Sequence, residues 1–227
     1  VQFEGDGTAP RPASATGSLP PGSNGPADLA EAMASARACR LCQEHLPLGP
    51  RPVFQLDAAA PILIVGQAPG TQAHLSGRPF DDRSGERLRD WLGVDRATFY
   101  DASAFAILPA GLCYPGLNPK GGDRPPRPEC APLWHPRLRP GLAGVRLTVL
   151  VGSYGQAVYL PRRSGRTVAA TVAAWRDLVP ALLPTPHPSW RSTAWLRRHP
   201  FFEAEVVPWL RQRVAALLAT RGAAAQR

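Results

Sequence analysis

The chain is nearly free of lysine: Lys120 stands alone among 26 basic residues, and the others are arginine. Methionine is also scarce, with only Met33, and aromatics make up 7%. No apolar stretch reaches the ~18 uninterrupted residues of a membrane-crossing helix, so no transmembrane span is expected. The first residues lack the charged start and apolar centre of a secretory leader, and a cytoplasmic location is expected. Proline, by contrast, is abundant at 27 residues, which argues against an all-helical bundle. Hydrophobic residues at 44% exclude a wholly disordered chain. A chain of this length can bury roughly 70% of its unfolded surface, enough for a core without staples.

The net charge of +9 is unevenly spread. Residues 1–32 hold Glu4, Asp6, Asp28 and Glu31 against Arg11, a balance of −3, so the remainder carries +12. With a pI near 10.4, the excess points to a polyanionic partner, nucleic acid before an anionic membrane. Arginine forks suit phosphate.

Residues 1–32 read as a Gly/Pro/Ser/Ala-rich arm or extension, 33–220 as one domain and 221–227 as a tail. A helix is expected from Asp28, as N-cap, to Arg40. Pro61–Val65, closed by Gly66, reads as a buried parallel strand. Further strands are expected at Ala104–Leu108, Val145–Val151 and, more weakly, Ala181–Leu183. Helices are expected near Ser84–Leu92, Gln156–Leu160 and Trp195–Leu218, the last with a break at Pro200 or Pro208. Alternating strands and helices predict a parallel α/β sheet covered on both faces. Ligands of such sheets sit beyond the carboxyl ends of the strands. There the unusual residues cluster, at Gly66–Phe80, Pro109–Cys130 and His187–Arg191.

Cys39 and Cys42 are two residues apart, and Cys113 and Cys130 follow. A two-residue spacer lets two thiolates reach one soft metal centre. Two disulfides or four unrelated thiols are the alternative, the disulfides disfavoured in a chain of this size without a secretion signal. Ligand count alone does not separate zinc from an iron–sulfur cluster.

Five features in order resemble the uracil-DNA glycosylase superfamily, most nearly its iron–sulfur-containing, family-four-like branch. They are Cys39-Arg-Leu-Cys42; Ile62-Leu-Ile-Val-Gly-Gln-Ala-Pro-Gly70; Gly77-Arg-Pro-Phe80 with Ser84-Gly85 and Leu88; the Pro/Arg-rich segment from Cys113 to Cys130; and His187-Pro188-Ser189. The resemblance implies a three-layer α/β/α sandwich around a four-stranded parallel sheet. It implies DNA as partner and a [4Fe-4S] cluster on Cys39, Cys42, Cys113 and Cys130, with zinc as the alternative; no membrane partner is expected, and the oligomeric state is left open, with a monomer as the expectation. The implied activity is removal of uracil or another deaminated base from DNA in base excision repair.

Such chemistry needs a flipped nucleotide, an aromatic face for the base and a donor to the departing base anion. It also needs a group that positions water and a cationic path for phosphates. Phe80 is the stacking candidate and His187 the donor, able to act as a neutral imidazole. Gly66, Pro69 and Gly70, with Ala68 between them, are expected to shape a tight turn whose backbone N–H groups meet the base or a phosphate, and Gln67 is placed to bond the base edge. Ser189, Trp190 and Arg191 stand where the family's loop enters DNA, Trp190 as a wedge or else a core anchor, Arg191 on phosphate. The branch's usual glutamate is replaced by Gln67, the commonest branch's aspartate by Ala68, and the asparagine after the second strand by Pro109. An amide cannot act as a base. Asp81 and Asp82 are the nearest carboxylates that could stand in, unless they are solvated or cap the next helix. The missing acid also motivates an alternative: an impaired glycosylase-like protein that only binds damaged or single-stranded DNA. A small-molecule nucleotide-binding protein is the third reading.

Overall fold

A computed structural model describes residues 26–119, 121–160 and 167–225. Four parallel strands, β1 (Ile62–Val65), β2 (Phe105–Ile107), β3 (Leu147–Val151) and β4 (Leu182–Thr185), form one sheet in the order β2-β1-β3-β4. Register pairs Ile64 of β1 with Ile107 of β2 and with Val149 of β3. Every residue of β1, β2 and β3 is buried, as expected of a sheet covered on both faces.

Successive side chains of a strand point to opposite faces, and this divides the core in two. Ile62 and Ile64 pack with Leu88, Trp91 and Leu92 of α3 (Arg83–Leu92) and with Leu210 and Val214 of α9 (Val207–Ala225). Leu63 and Val65 pack on the other face with Leu29 and Ala36 of α1 (Pro26–Arg37) and Trp134 and Leu138 of α5 (Cys130–Leu138). The result is the three-layer α/β/α sandwich that the alternation predicted.

Boundaries differ in instructive ways. Helix α1 begins at Pro26, not at Asp28, because proline suits a helix's first position, where its missing N–H is not needed. Residues 26–32, read as part of the arm, therefore lie in this helix, and Leu29 is buried. Residues 1–25 lie outside the described residues. At the other end α9 continues through Arg221, whose guanidinium meets Asp101 Oδ2 at 2.7 Å, so the tail begins later than position 221. Helix α6 (Gly152–Tyr159) starts before the expected Gln156. Its glycines concealed it, since glycine is a poor helix former. Strand β4 runs on through Pro184, tolerated because β4 is an edge strand. The expected break in the last helical stretch falls at Pro200. Helix α8 (Thr193–Arg198) stops before it, whereas Pro208 lies where a π-helical segment, Phe202–Val206, passes into α9 without a break.

Short helices α2 (Thr71–Ser76) and α4 (Arg96–Phe99) lie between β1 and β2, and α7 (Val168–Ala173) precedes β4. The carboxyl ends of β1, β2 and β4 release the segments that begin at Gly66, Leu108 and Pro186. All three meet at one cavity.

Candidate functional site

That cavity, about 420 Å³, is lined by the Gly66–Gly70 turn, Phe80, Asp82, Pro109, Asp123, His187 and Ser189–Arg191. Its size falls in the range of small-molecule sites.

His187 follows β4 between Pro186 and Pro188, which stiffen its loop. Its Nδ1 accepts the Ser189 backbone N–H at 3.2 Å, so in the neutral ring the proton sits on Nε2. Burial holds its pKa below the ordinary histidine value, and the Asp82 charge opposes this only in part. The ring is therefore a neutral donor at pH 7. Gly152, at φ 71°, lets the end of β3 pass close to the His187 Cβ. Arg87 of α3 fixes the same loop by donating to the Ser189 carbonyl at 2.9 Å.

Phe80 both lines the pocket and packs on the core, so the two readings of this residue coexist. Its ring crosses Phe99 edge-on at 6.5 Å between centroids. A side chain at Gly66 would place its Cβ 2.8 Å from Phe80 Cζ, so glycine there is a condition of the ring's position. Phe80 has φ 55°, a costly backbone state for an aromatic residue.

The two neighbouring acids part company. Asp81 turns away from the pocket to Arg96, at 2.7 Å, and this partner holds its carboxyl below the usual range. The expectation that Asp81 joins the pocket is corrected: Arg96 on α4 is the better partner for it. Asp82 caps α3, accepting Gly85 N–H at 2.8 Å through Oδ1, and still lines the pocket. Gln67 lines the pocket too, but its Nε2 donates to the Arg124 carbonyl at 2.9 Å. One of its two amide N–H donors is thus committed to the Arg124 loop, and the other N–H and the carbonyl oxygen keep their bonding capacity.

Trp190 is 76% exposed, which removes the core-anchor reading. Arg191 lies over its ring, with Cζ 5.5 Å from the centroid. The Arg191 guanidinium also reaches Gly121 and Gly122, two glycines with φ 88° and 86° in the loop opposite. Leu117 and Asp123 bridge across that loop, and Asn118 N–H bonds the Gly122 carbonyl at 2.7 Å. Asp123, which the sequence reading did not single out, is thereby turned to the pocket mouth. A Gly-Gly-Asp turn directly before a Pro/Arg-rich run was the available signal.

The four cysteines line a second, smaller cavity, and none is in a disulfide. Cys130 Sγ accepts the Leu112 N–H at 3.2 Å. Burial in these apolar surroundings pushes the Cys113 thiol up to about 11 and the Cys130 thiol up to about 12. The donor chemistry fits a thiolate-bound cluster in kind. Among the described residues, however, no three His, Cys, Asp or Glu side chains are gathered as a cage for one metal ion.

Residues 53–211 match the family model of the Uracil DNA glycosylase superfamily. The chain belongs to that superfamily. The match spans β1 to the start of α9 and so contains every pocket residue named above, together with Cys113 and Cys130. Cys39 and Cys42 precede it. Superfamily members act on DNA, and among the described residues no helix is long and apolar enough to cross a membrane.

Proposed function

We propose that the chain is a DNA glycosylase that hydrolyses the N-glycosidic bond of uracil or another deaminated base in DNA. The observation that carries this is the His187 tautomer, fixed by Ser189 N–H, which leaves Nε2–H to donate into a pocket floored by Phe80. The target nucleotide leaves the stack, at a cost of a few kcal/mol. Trp190 fills the gap and Arg191 holds a phosphate. The base slides over Phe80, and His187 donates to its carbonyl oxygen as the C1′–N bond lengthens. A fixed donor aimed at developing negative charge lowers the barrier without reorganising. Water then completes the sugar as an abasic site.

The test is abasic-site formation in labelled oligonucleotides carrying uracil, hypoxanthine or xanthine, single- and double-stranded. Product from wild type that disappears in His187→Ala supports the reading; no product from any substrate sinks it. One observation favours a second reading, a protein that binds damaged or single-stranded DNA without cutting it: Gln67 and Ala68 leave the Gly66–Gly70 turn, the family's first motif and here the motif-one turn, without a carboxylate. Salt-sensitive DNA binding with no excision would identify that behaviour.

A [4Fe-4S] cluster on Cys39, Cys42, Cys113 and Cys130 belongs to the same proposal. Four unbridged thiols on one cavity and an N–H aimed at sulfur support it. Bound there, the cluster would tie α1, the Cys113 segment and α5 together beside the DNA-facing loops. Anaerobically purified protein is expected to be brown, with absorption near ~400 nm as for thiolate-bound iron–sulfur centres. A colourless protein with stoichiometric zinc would replace the cluster by zinc.

A further inference from the structure

The motif-one turn offers no acid, yet the pocket contains two carboxylates, and they are not equivalent. Asp82 has one oxygen committed to capping α3. Asp123 is exposed to the open pocket mouth, and among the described residues it takes part in no hydrogen bond and no ion pair through its side chain. We propose that Asp123 is the catalytic carboxylate that activates the attacking water, supplying from the 117–124 loop the acid that the Gly66–Gly70 turn lacks. The proposal rests on the glycosylase reading and deepens it.

Geometry supports it first. A Cβ built on Gly70 would lie 3.4 Å from Asp123 Oδ2 and 3.8 Å from Asp82 Oδ2, so both acids flank the motif-one turn. Gly70 thus leaves open the space in front of them. The loop is also tied to that turn, because the Gln67 amide donates to the carbonyl of Arg124, the residue after Asp123. The position that usually supplies an acid instead holds in place the loop that carries one. The Leu117–Asp123 bridge, the Asn118–Gly122 bond and the Gly121 N–H to Asn118 carbonyl bond at 2.8 Å fix the loop's own shape.

Charge supports it second. Crowding by protein and the Asp82 charge raise the Asp123 pKa above the ordinary aspartate value, with Arg191 acting the other way. A raised pKa makes a better proton acceptor, provided the group is still ionised at working pH. Asp81, by contrast, is held low by Arg96 and is a poor base.

The step balances. Water oxygen forms a bond to C1′ of the flipped deoxyuridine, and its proton passes to an Asp123 oxygen. The C1′–N1 bond breaks with its electron pair going to the base, which leaves as an anion bonded by His187 Nε2–H. Asp123 then returns its proton to solvent or to the departing base.

The experiment compares wild type, Asp123→Asn, Asp123→Glu and Asp82→Asn in single-turnover excision from a uracil oligonucleotide. Binding to a 2′-fluoro-deoxyuridine oligonucleotide, whose glycosidic bond resists cleavage, and melting temperature are measured alongside. Asp123→Asn is expected to lose about 10²–10⁴-fold in rate, the usual worth of a general base, with binding and melting unchanged. Asp123→Glu should recover part of the rate, and Asp82→Asn, which keeps the cap, should lose less than Asp123→Asn. Active wild type with Asp123→Asn within about threefold of it overturns the proposal and leaves the glycosylase reading standing. Loss of rate together with binding and melting temperature reduces Asp123 to a structural role and also overturns it. Wild type that excises nothing overturns both.

Discussion

The segment from Cys113 to Cys130 serves two unlike places. At its two ends, cysteines face a small apolar cavity whose thiols are held protonated by burial. In its middle, Asp123 faces a polar, open pocket where partners are already set: His187 on Ser189, Gln67 on Arg124, Asp82 on Gly85. The pocket's polar groups hold one another in place; the cysteine cavity is lined by thiols, and burial disfavours the charged form of Cys113 and Cys130. Polar partners are thus already set on the pocket side, whereas burial works against charge on the cysteine side.

The comparison can be broken most forcefully at His187. His187→Ala is expected to lower excision about 10²–10³-fold, the usual cost of one fixed donor to a developing anion, with the melting temperature unchanged. A comparable loss from Cys113→Ser would erase the division between the two places. Next comes Gln67→Ala, which releases the Asp123 loop. Its excision rate is expected to fall about tenfold, less than the roughly 10²-fold that a 1 Å misplacement can cause. A rate unchanged by this variant would detach the loop from the chemistry. Arg191→Ala is a smaller effect: affinity for any DNA sequence weakens, and the slope of log affinity against log salt drops by about 1. Titration of DNA binding at several salt concentrations checks it, and an unaltered slope removes Arg191 from the phosphate path.

The smallest expected effect is on pH stability. Burial lowers the pKa of His74, His135 and His187 below the unfolded histidine value. The unfolded chain then binds more protons between those values, so stability rises with pH through that window and is lost as pH falls below about 6.5. Asp81 and Asp101 are lowered as well, but their contribution is lost only at more acidic pH. The raised Asp123 acts in the opposite sense, nearer the carboxylate range. Thermal melts are expected to shift downward between pH 7.5 and 5.5; a flat profile over that range would contradict the burial of these rings.

Strands β1 and β3 were legible because each is a mostly apolar run closed by glycine, Ile62–Gly66 and Leu147–Gly152 with Thr148 as its one polar member, whereas β4 carries Pro184 and Thr185 and was read short. His187, Phe80 and the motif-one turn were legible because short ordered motifs carry them. Asp81 and Asp82 could not be told apart from sequence, since one residue's difference in backbone direction decides between Arg96 and the cap of α3. Asp123 was hidden for another reason. Its segment was placed at the carboxyl ends of the strands but only its cysteines were singled out, and its approach to the pocket depends on two left-handed glycines and on a hydrogen bond across 57 positions of chain, Gln67 to Arg124. Long-range contacts of that kind have no local signature.

Phe80 carries a consequence for substrate breadth. Its carbonyl presses against Gly85 so closely that no side chain would fit there, and its ring presses on Gly66. The floor of the pocket is thereby bolted to both the sheet and α3, whose far side leans on α9. On the proposed reading, with the base stacked on Phe80, this face of the pocket is fixed from two sides, and room for a larger base would depend on the 121–124 turn that bears Asp123.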